Sequence, residues 1–387
     1  MMNESNIKNI ISDPIINNIS NEKDVLKFEI SNVNVSIVNG LRRIMLSEIP
    51  TVVVKTFPHK DNKCDITVNT TRLNNEIIKQ RLSCIPIHIN NMNKDSIIPF
   101  EQYIIKVDKQ NKSEYLEHVT TEDFQILDTV SNKLLSVSER GKIFPKNSIT
   151  KHYIDLCRLR PKLSNNLKGE HLQFTAIMQS ANASENGMFN VVSNACYGCT
   201  MDAEKAESAW KILENTYKSD KQMTEAEISA EKANWYLLQA FRHFKPNSYD
   251  FTVESVGVYT NKQIVYIACN VMIHKLLYFK EIISDETKLY IIKSVNTMTN
   301  CYDIILENED YTIGKVLEYM LYTLHYEGDE TLSFIGFNKK HPHDSFSTIR
   351  IAFKKELSDL GELRDIIVNC VLQSSQLYSN IGQVFKD

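Results

Sequence analysis

The 387-residue sequence predicts an α+β fold, and two observations carry that prediction. Apolar residues recur at helical spacing in several long segments, which indicates amphipathic helices. Between residues 86 and 190 the pattern changes to strand-like alternation, as in Tyr103-Ile104-Ile105-Lys106-Val107, so we expect a mainly-β domain there. A chain of this length can hold two or three domains and bury sizeable cores.

Composition disfavours several classes of protein. The net charge of −4 and the pI near 6.2 argue against a chain whose main task is to bind nucleic acid, because such chains carry a strong basic excess. No uninterrupted run of about 18 apolar residues occurs, so we expect no membrane-spanning helix. The Asn-, Ile- and Ser-rich start lacks the pattern of a signal peptide, and we expect a flexible N-terminal tail over residues 1–24.

The first predicted helix ends before Pro50, because proline cannot continue a helix. Asn32 or Asn34 can cap its first turn. Arg42 and Arg43 are adjacent, so at least one of them points away from the apolar face. That face comprises Ile37, Val38, Leu41, Ile44 and Met45.

The segment around this helix resembles a known motif. From Phe28 to Val54, and above all over Asn39-x-Leu41-Arg42-Arg43-Ile44-Met45-x-x-Glu48-Ile49-Pro50-Thr51, it is similar to the assembly motif of the alpha-type subunits of multisubunit RNA polymerases. Those are bacterial alpha, its archaeal counterpart and the third-largest subunit of eukaryotic RNA polymerase II. Gly40 departs from the motif, and glycine inside a helix costs about 1 kcal/mol relative to alanine. It either permits a close backbone approach or reflects drift.

A second block, from Asn69 to Ile87, resembles the family segment in which a strand leads into a short helix and a proline exit. Asn74 is the expected cap of that helix. Arg81 occupies the family's usual arginine position. The expected buried side comprises Ile77, Ile78, Leu82 and Ile85.

Residues 200–244 are rich in Ala, Glu and Lys and predict two helices that separate near Asp220. Large apolar residues recur there at near-helical intervals: Trp210, Leu213, Tyr217, Ile228, Trp235, Leu238 and Phe241. Two interpretations stay open, namely an insert that docks a partner or ordinary packing of a helical pair.

The chain then returns to the family pattern. The segment Asp250-Phe251-Thr252-Val253-Glu254-Ser255-Val256-Gly257 resembles the family's returning strand, and Thr260-x-x-Gln263 is a capping-box signature that predicts a helix after it. The resemblance implies a discontinuous alpha-like dimerisation domain over residues 25–85 and 191–285, with residues 86–190 inserted as a mainly-β domain.

Residues 286–387 predict a strand, a helix with Thr312 as its cap, two further strands and a long closing helix with a coiled-coil-like seam. The pattern Asp310-x-Thr312-x-Gly314-x-x-Leu317, followed by Gly336-Phe337 and His341-Pro342, is similar to the small partner of the alpha-like chain, which is the eleventh subunit of RNA polymerase II and its archaeal equivalent. The two resemblances imply two alpha-subunit-type dimerisation modules fused in one chain, an intramolecular pseudo-heterodimer. Such fusions are characteristic of large DNA viruses.

The resemblance implies a non-catalytic assembly platform of a viral DNA-directed RNA polymerase. Its expected partners are the largest and second-largest subunits and small zinc-binding subunits, with DNA reached only through the complex and no homo-oligomer required. The expected location is the virion and the host cytoplasm, or the nucleus or cytoplasm of a cellular host. No P-loop, GxGxxG, HExxH or nucleophile-elbow pattern points to catalysis by the chain itself.

Two sets of residues follow from this interpretation. The predicted partner-binding residues are Asn39, Leu41, Arg42, Arg43, Glu48 and Arg81. The predicted core of the intramolecular dimer comprises Ile37, Val38, Ile44, Met45, Ile313, Leu317, Leu321, Leu363 and Ile367.

The cysteines leave an alternative. Of eight cysteines only Cys196 and Cys199 form a CxxC pair, whereas a structural zinc site needs four ligands, so we expect no metal and no cofactor. The alternative function is a redox or metal-binding protein centred on Cys196-x-x-Cys199. A sequence-binding transcription factor is a third class, disfavoured by the acidic charge. His341 and His343 could bind a metal, but a strand-connecting turn is the simpler interpretation.

Overall fold

The computed structural model describes residues 13–89, 98–162, 164, 168–219, 223–285, 290–295, 298–357 and 359–386. Its strands are β1 (Ile15–Glu22), β2 (Val25–Ser31), β3 (Thr51–Val53), β4 (Cys64–Asn69), β5 (Tyr103–Gln110), β6 (Glu117–Thr120), β7 (Gln125–Asp128), β8 (Lys133–Leu134), β9 (Asp155–Leu159), β10 (His171–Ile177), β11 (Gln179–Ala181), β12 (Val192–Met201), β13 (Phe244–Ser255), β14 (Ile291–Lys293), β15 (Cys301–Glu307), β16 (Leu332–Asn338) and β17 (Phe346–Phe353). Its α-helices are α1 (Val35–Ser47), α2 (Asn75–Ser83), α3 (Val137–Ile143), α4 (Ala203–Ser219), α5 (Glu225–Leu238), α6 (Asn261–Ser284), α7 (Tyr311–Leu321) and α8 (Leu360–Val384), and a π-helical segment, Tyr322–Gly328, follows α7.

The chain divides into two compact units. Unit 1 comprises Met1–Met45, Asn194–Glu254 and Asn261–Asp387, and unit 2 comprises Leu46–Ser193 and Ser255–Thr260. Unit 2 therefore takes in residues 46–85, which we expected in the dimerisation domain. The physical reason is strand pairing, because β4 bonds to β10 in the same sheet that contains β5 and β7.

Two four-stranded sheets form the β part of unit 1, in the orders β1-β2-β13-β12 and β14-β15-β17-β16. Along β2 alternate side chains point inward, so that Leu26, Phe28 and Ile30 are buried. Phe28 stands opposite Phe251 of β13, and their rings stack with centroids 4.9 Å apart. The ring of Phe385, just beyond α8, lies 4.8 Å from that of Phe28, so the end of the chain completes this core.

The expected flexible tail over residues 1–24 is wrong for its second half, because Ile15–Glu22 is strand β1. It pairs with β2 in antiparallel register from Ile15 opposite Ser31 to Glu22 opposite Val25. Lys23 and Asp24 connect the strands with φ of 51° and 63°, the left-handed geometry of a tight two-residue hairpin. Main-chain pairing thus orders a polar stretch whose side chains give little signal for a strand. Residues 1–12 lie outside the described part of the chain.

Unit 2 is mainly β. Its five-stranded sheet has the order β4-β10-β5-β7-β8, and the pairs β3–β11 and β6–β9 lie beside it. Its core is aliphatic and aromatic, with Phe124 in edge contact with both Phe144 and Phe174. On α2, Ile78 and Leu82 are buried as expected, but Ile77 is 41% exposed, because it is adjacent to Ile78 and its side chain points about 100° away around the helix.

Helices α4 and α5 of unit 1 form a hairpin with a small core of its own. Trp210 and Trp235 are its centre, with ring centroids 5.7 Å apart. The sequence prediction of two helices in this segment is confirmed, whereas the predicted break near Asp220 lies outside the described residues.

The closing helix α8 packs along α6 in unit 1. At one point of that contact a Cβ on Gly382 would lie 3.2 Å from the Cβ of Cys269, so the two helices approach closely. In the described part of the chain, no helix is both long and apolar enough to cross a membrane.

Candidate functional site

Helix α1 carries the residues that the sequence singles out. The Asn34 side chain caps it by accepting a hydrogen bond from the N–H of Ser36 at 2.9 Å, which decides between the two predicted caps. Every residue of the predicted apolar face is buried, and Leu41 is among them. The prediction that Leu41 contacts a partner is therefore wrong, because its side chain belongs to the core of unit 1.

Gly40 lies where Tyr378 of α8 contacts α1. The hydroxyl of Tyr378 donates a hydrogen bond to the carbonyl oxygen of Ile37 at 3.0 Å. A Cβ at position 40 would lie 2.8 Å from that hydroxyl and 3.0 Å from the terminal methyl carbon of Met272. Of the two explanations left open for this glycine, the structure favours the close backbone approach.

Arg43 connects α1 to the start of α7. Its Nε donates to the hydroxyl of Thr312 at 2.8 Å, and its guanidinium forms an ion pair with the carboxylate of Asp310. Arg43 thus contacts a carboxylate of its own chain, across 267 residues of sequence. At least part of its binding capacity is used inside unit 1.

Asp310, and not the predicted Thr312, is the N-cap of α7. Its side chain accepts a hydrogen bond from the N–H of Thr312 at 2.8 Å. Burial acts to raise the pKa of Asp310, but hydrogen bonds from Thr312 and the charge of Arg43 outweigh it and hold the pKa below its ordinary value. Both residues are good caps by type, and the chain uses the hydroxyl of Thr312 for Arg43 instead.

Arg42 has a different environment from Arg43. Its Nε donates to the side-chain oxygen of Asn39 at 3.0 Å, one turn away on α1. Burial raises the pKa of Tyr197, and the nearby positive charge of Arg42 opposes that shift. The described residues offer no carboxylate to Arg42, so the Asn39–Arg42 pair is the part of the predicted partner-binding set in unit 1 that stays available to another protein.

The remaining members of that set, Glu48 and Arg81, belong to unit 2. Arg81 donates to the carbonyl oxygen of Asp155 at 2.9 Å and so links α2 to β9. Glu48 is partly buried just after α1. A role of either residue toward a partner stays a prediction.

All nine residues of the predicted internal core are buried in unit 1. Sequence analysis did not assign three residues to these contacts: Asp310 and Phe337, which it quoted only as parts of a motif, and Tyr378, which it did not name. The ring of Phe337 occupies the space over Gly314, where an added Cβ would overlap its ring atoms. An Asp two residues before Thr312 is itself a cap signal, so the sequence offers Asp310 as a second candidate beside Thr312.

The cysteine alternative has no support in the geometry. Cys196 and Cys199 are three residues apart on β12, so their side chains point to opposite faces of an edge strand. Both are free and exposed. No group of three or more His, Cys, Asp or Glu side chains suited to a metal occurs among the described residues, and that includes the turn with His341 and His343.

Comparison with known proteins places the chain in a family. A family model described as the RNA polymerase Rpb3/Rpb11 dimerisation domain matches residues 27–276, which is more than half of the chain.

Individual relatives match over shorter stretches. The DNA-directed RNA polymerases I and III subunit rpac1 of Dictyostelium discoideum is 31% identical over 139 residues, 36% of this chain and 33% of that protein. The DNA-directed RNA polymerases IV and V subunit 3B of Arabidopsis thaliana is 44% identical over 64 residues, 16% of this chain and 18% of that protein. The DNA-directed RNA polymerase II subunit RPB3 of Schizosaccharomyces pombe is 33% identical over 86 residues, 22% of this chain and 26% of that protein.

These matches span a third or less of each relative, so they cover the shared domain and not the whole proteins. Together with the buried α1 motif and its contacts to α7 and α8, the family match is decisive: the chain belongs to the RNA polymerase Rpb3/Rpb11 dimerisation domain family.

Proposed function

We propose that this chain is a non-catalytic assembly subunit of a DNA-directed RNA polymerase and that it joins an Rpb3-like and an Rpb11-like module in one polypeptide. The contact of Arg43 with Asp310 and Thr312 is the observation that carries the proposal. It joins the α1 motif to the helix start that resembles the small subunit. Fusion has a physical advantage, because a tether makes the association intramolecular at an effective concentration on the order of millimolar.

Cleavage of the folded chain tests the fusion. A protease site inserted between residues 285 and 290 allows the two parts to be separated after folding. We expect the fragments to co-elute in gel filtration and to part only in denaturant, since the nine core residues are buried in one unit. Spontaneous separation of the fragments would contradict the proposal.

The proposed partners are the largest and second-largest polymerase subunits, with small zinc-binding subunits alongside and no requirement for a homo-oligomer. Co-expression with the two largest subunits encoded in the same genome tests this, and Arg42→Glu is the informative variant. Its guanidinium has no carboxylate partner in the described part of the chain, so the variant should stay folded and bind the second-largest subunit less tightly. Lys211→Glu, an exposed lysine on α4, is the matched charge-reversal control.

Viral origin, with the virion and host cytoplasm as the location, is part of the proposal. It rests on the resemblance to fused subunits of large DNA viruses and on a composition rich in Asn, Ile and Lys. Genomic context of the coding sequence, or mass spectrometry of purified virions, tests it. A location in the nucleus or cytoplasm of a cellular host is the other outcome.

A further inference from the structure

The end of the α4–α5 hairpin exposes apolar side chains that no part of the described chain covers. Leu237 is 73% exposed, Leu238 72%, Phe241 56% and Phe244 48%. We call these four residues the hairpin-end patch. Single exposed apolar residues are normal on a protein surface, whereas larger exposed apolar surface marks contact sites, and these four residues fall within eight positions of the chain.

The backbone under the patch is fixed by hydrogen bonds. The N–H of Gln239 donates to the carbonyl of Trp235 at 2.7 Å, and that of His243 donates to the carbonyl of Ala240 at 2.9 Å. The carbonyl of His243 accepts in turn from the N–H of Asp202 at 2.8 Å, and its ring lies 6.0 Å from that of Trp235. A patch held in this way binds with little loss of conformational entropy.

The charged side chains of the patch segment itself, residues 237–246, have one sign, and the nearby carboxylate of Asp202 is paired with Lys205 at 3.1 Å. Every charged side chain between residues 237 and 246 is basic, and Arg242 and Lys245 are exposed. Neither has a carboxylate partner within the described ranges, whereas Glu214 of the same hairpin is bonded to Lys218 and Glu207 to Tyr236. Aromatic side chains and arginine are the groups enriched at protein–protein interfaces.

We propose that the hairpin-end patch docks a segment of another protein that presents apolar side chains flanked by carboxylates. A second copy of this chain is a poor occupant, because a symmetric contact would set Arg242 and Lys245 against their own equivalents. An anionic membrane is also a poor occupant, because basic clusters that bind anionic lipids contain roughly 4–8 Lys or Arg residues, and only Arg242 and Lys245 flank this patch.

Fluorescence anisotropy with the full chain tests the proposal. The probe is a labelled helical peptide with Leu and Phe at i, i+3 and i+4 and Glu at the flanks, and its control carries Lys in place of Glu. We expect the acidic peptide to bind at least tenfold more tightly than the basic one. Leu238→Glu combined with Phe241→Glu should weaken that binding at least tenfold, and Arg242→Glu combined with Lys245→Glu should reverse the preference between the peptides.

The matched control is Val137→Glu combined with Ile149→Glu, which changes two exposed apolar residues of unit 2 that are 73% and 87% exposed. It should leave binding unchanged. If the patch variant loses its circular dichroism signal, the binding test is repeated with Arg242→Ala combined with Lys245→Ala, which removes only exposed groups. This variant should lose the preference for the acidic peptide.

Equal binding of both peptides, or undiminished binding by the variants, would overturn the proposal. So would patch-dependent binding to phosphatidylcholine–phosphatidylserine vesicles, or a dimer in sedimentation that the patch variant abolishes. These outcomes do not depend on whether the chain assembles with large polymerase subunits, because the assay contains only this chain and a peptide or vesicle.

Discussion

The contacts of α1 with α7 and α8 differ from the α4–α5 hairpin in how their apolar residues are used. Around α1 the side chains of Tyr378 and Met272 come so close to the helix that position 40 has no room for a Cβ, and the predicted core residues are buried. The hairpin buries its two tryptophans but leaves both leucines at the end of α5 exposed. Helical spacing alone therefore does not distinguish buried from exposed apolar residues, whereas the lack of room for a Cβ on Gly40 marks the buried contact.

The largest expected difference comes from paired substitutions in the two regions. Leu363→Asp with Ile367→Asp removes two buried side chains worth about 1.5–3 kcal/mol each and buries charge, against a total stability of about 5–15 kcal/mol. We expect insoluble or unfolded protein. Leu237→Asp with Leu238→Asp should leave the urea midpoint nearly unchanged. Equal loss of stability in both variants would remove the distinction between the regions.

Glycine substitutions test the same comparison with smaller expected changes in the free energy of unfolding. A Cβ on Gly314 would overlap the ring of Phe337, so Gly314→Ala should destabilise the chain by about 1–3 kcal/mol. Gly141 in α3 has no atom within 4 Å of the same position, and Gly141→Ala should stabilise by up to about 1 kcal/mol. Urea unfolding followed by fluorescence measures both. A neutral Gly314→Ala would show that the ring moves aside without strain.

Tyr378→Phe isolates the hydrogen bond between α8 and α1. It removes the hydroxyl that donates to Ile37 and keeps the buried ring, so the free energy of unfolding should fall by about 0.5–1.5 kcal/mol. Tyr278→Phe, at an exposed tyrosine of α6, is the control and should have no effect. A gain in stability would mean that the desolvation penalty of the buried Tyr378 hydroxyl exceeds the stabilisation from its hydrogen bond.

The smallest expected effect is a pH dependence at Asp310. Its pKa in the folded chain is lowered from 3.8, so its contribution is present above pH 3.8 and is lost as the pH falls through the folded pKa. Asp310→Asn keeps an N-cap but lacks the charge, and partly exposed pairs contribute about 0.2–1 kcal/mol. The difference in unfolding free energy between wild type and variant should shrink below pH 3.8. A constant difference would show that Arg43 does not stabilise the carboxylate.

Much of α1 could be predicted from the sequence, because its apolar stripe, its cap and its closing proline are local signals. The N-cap of α7 could not, since Asp310 and Thr312 are both good caps and the choice depends on Arg43, far away in the chain. Strand β1 was missed because its order comes from main-chain pairing. The division of the chain into compact units near Leu46 has no local sequence signal, because it follows from the pairing of β4 with β10.

The bond between Tyr378 and Ile37 joins residues 341 positions apart, and this has a consequence for synthesis. At about 5–20 residues per second, a ribosome needs roughly 17–70 s to proceed from one to the other. During that interval the apolar face of α1 has been made, but the helix that covers it has not. We therefore expect the apolar face of α1 to be exposed to aggregation until α8 has been made.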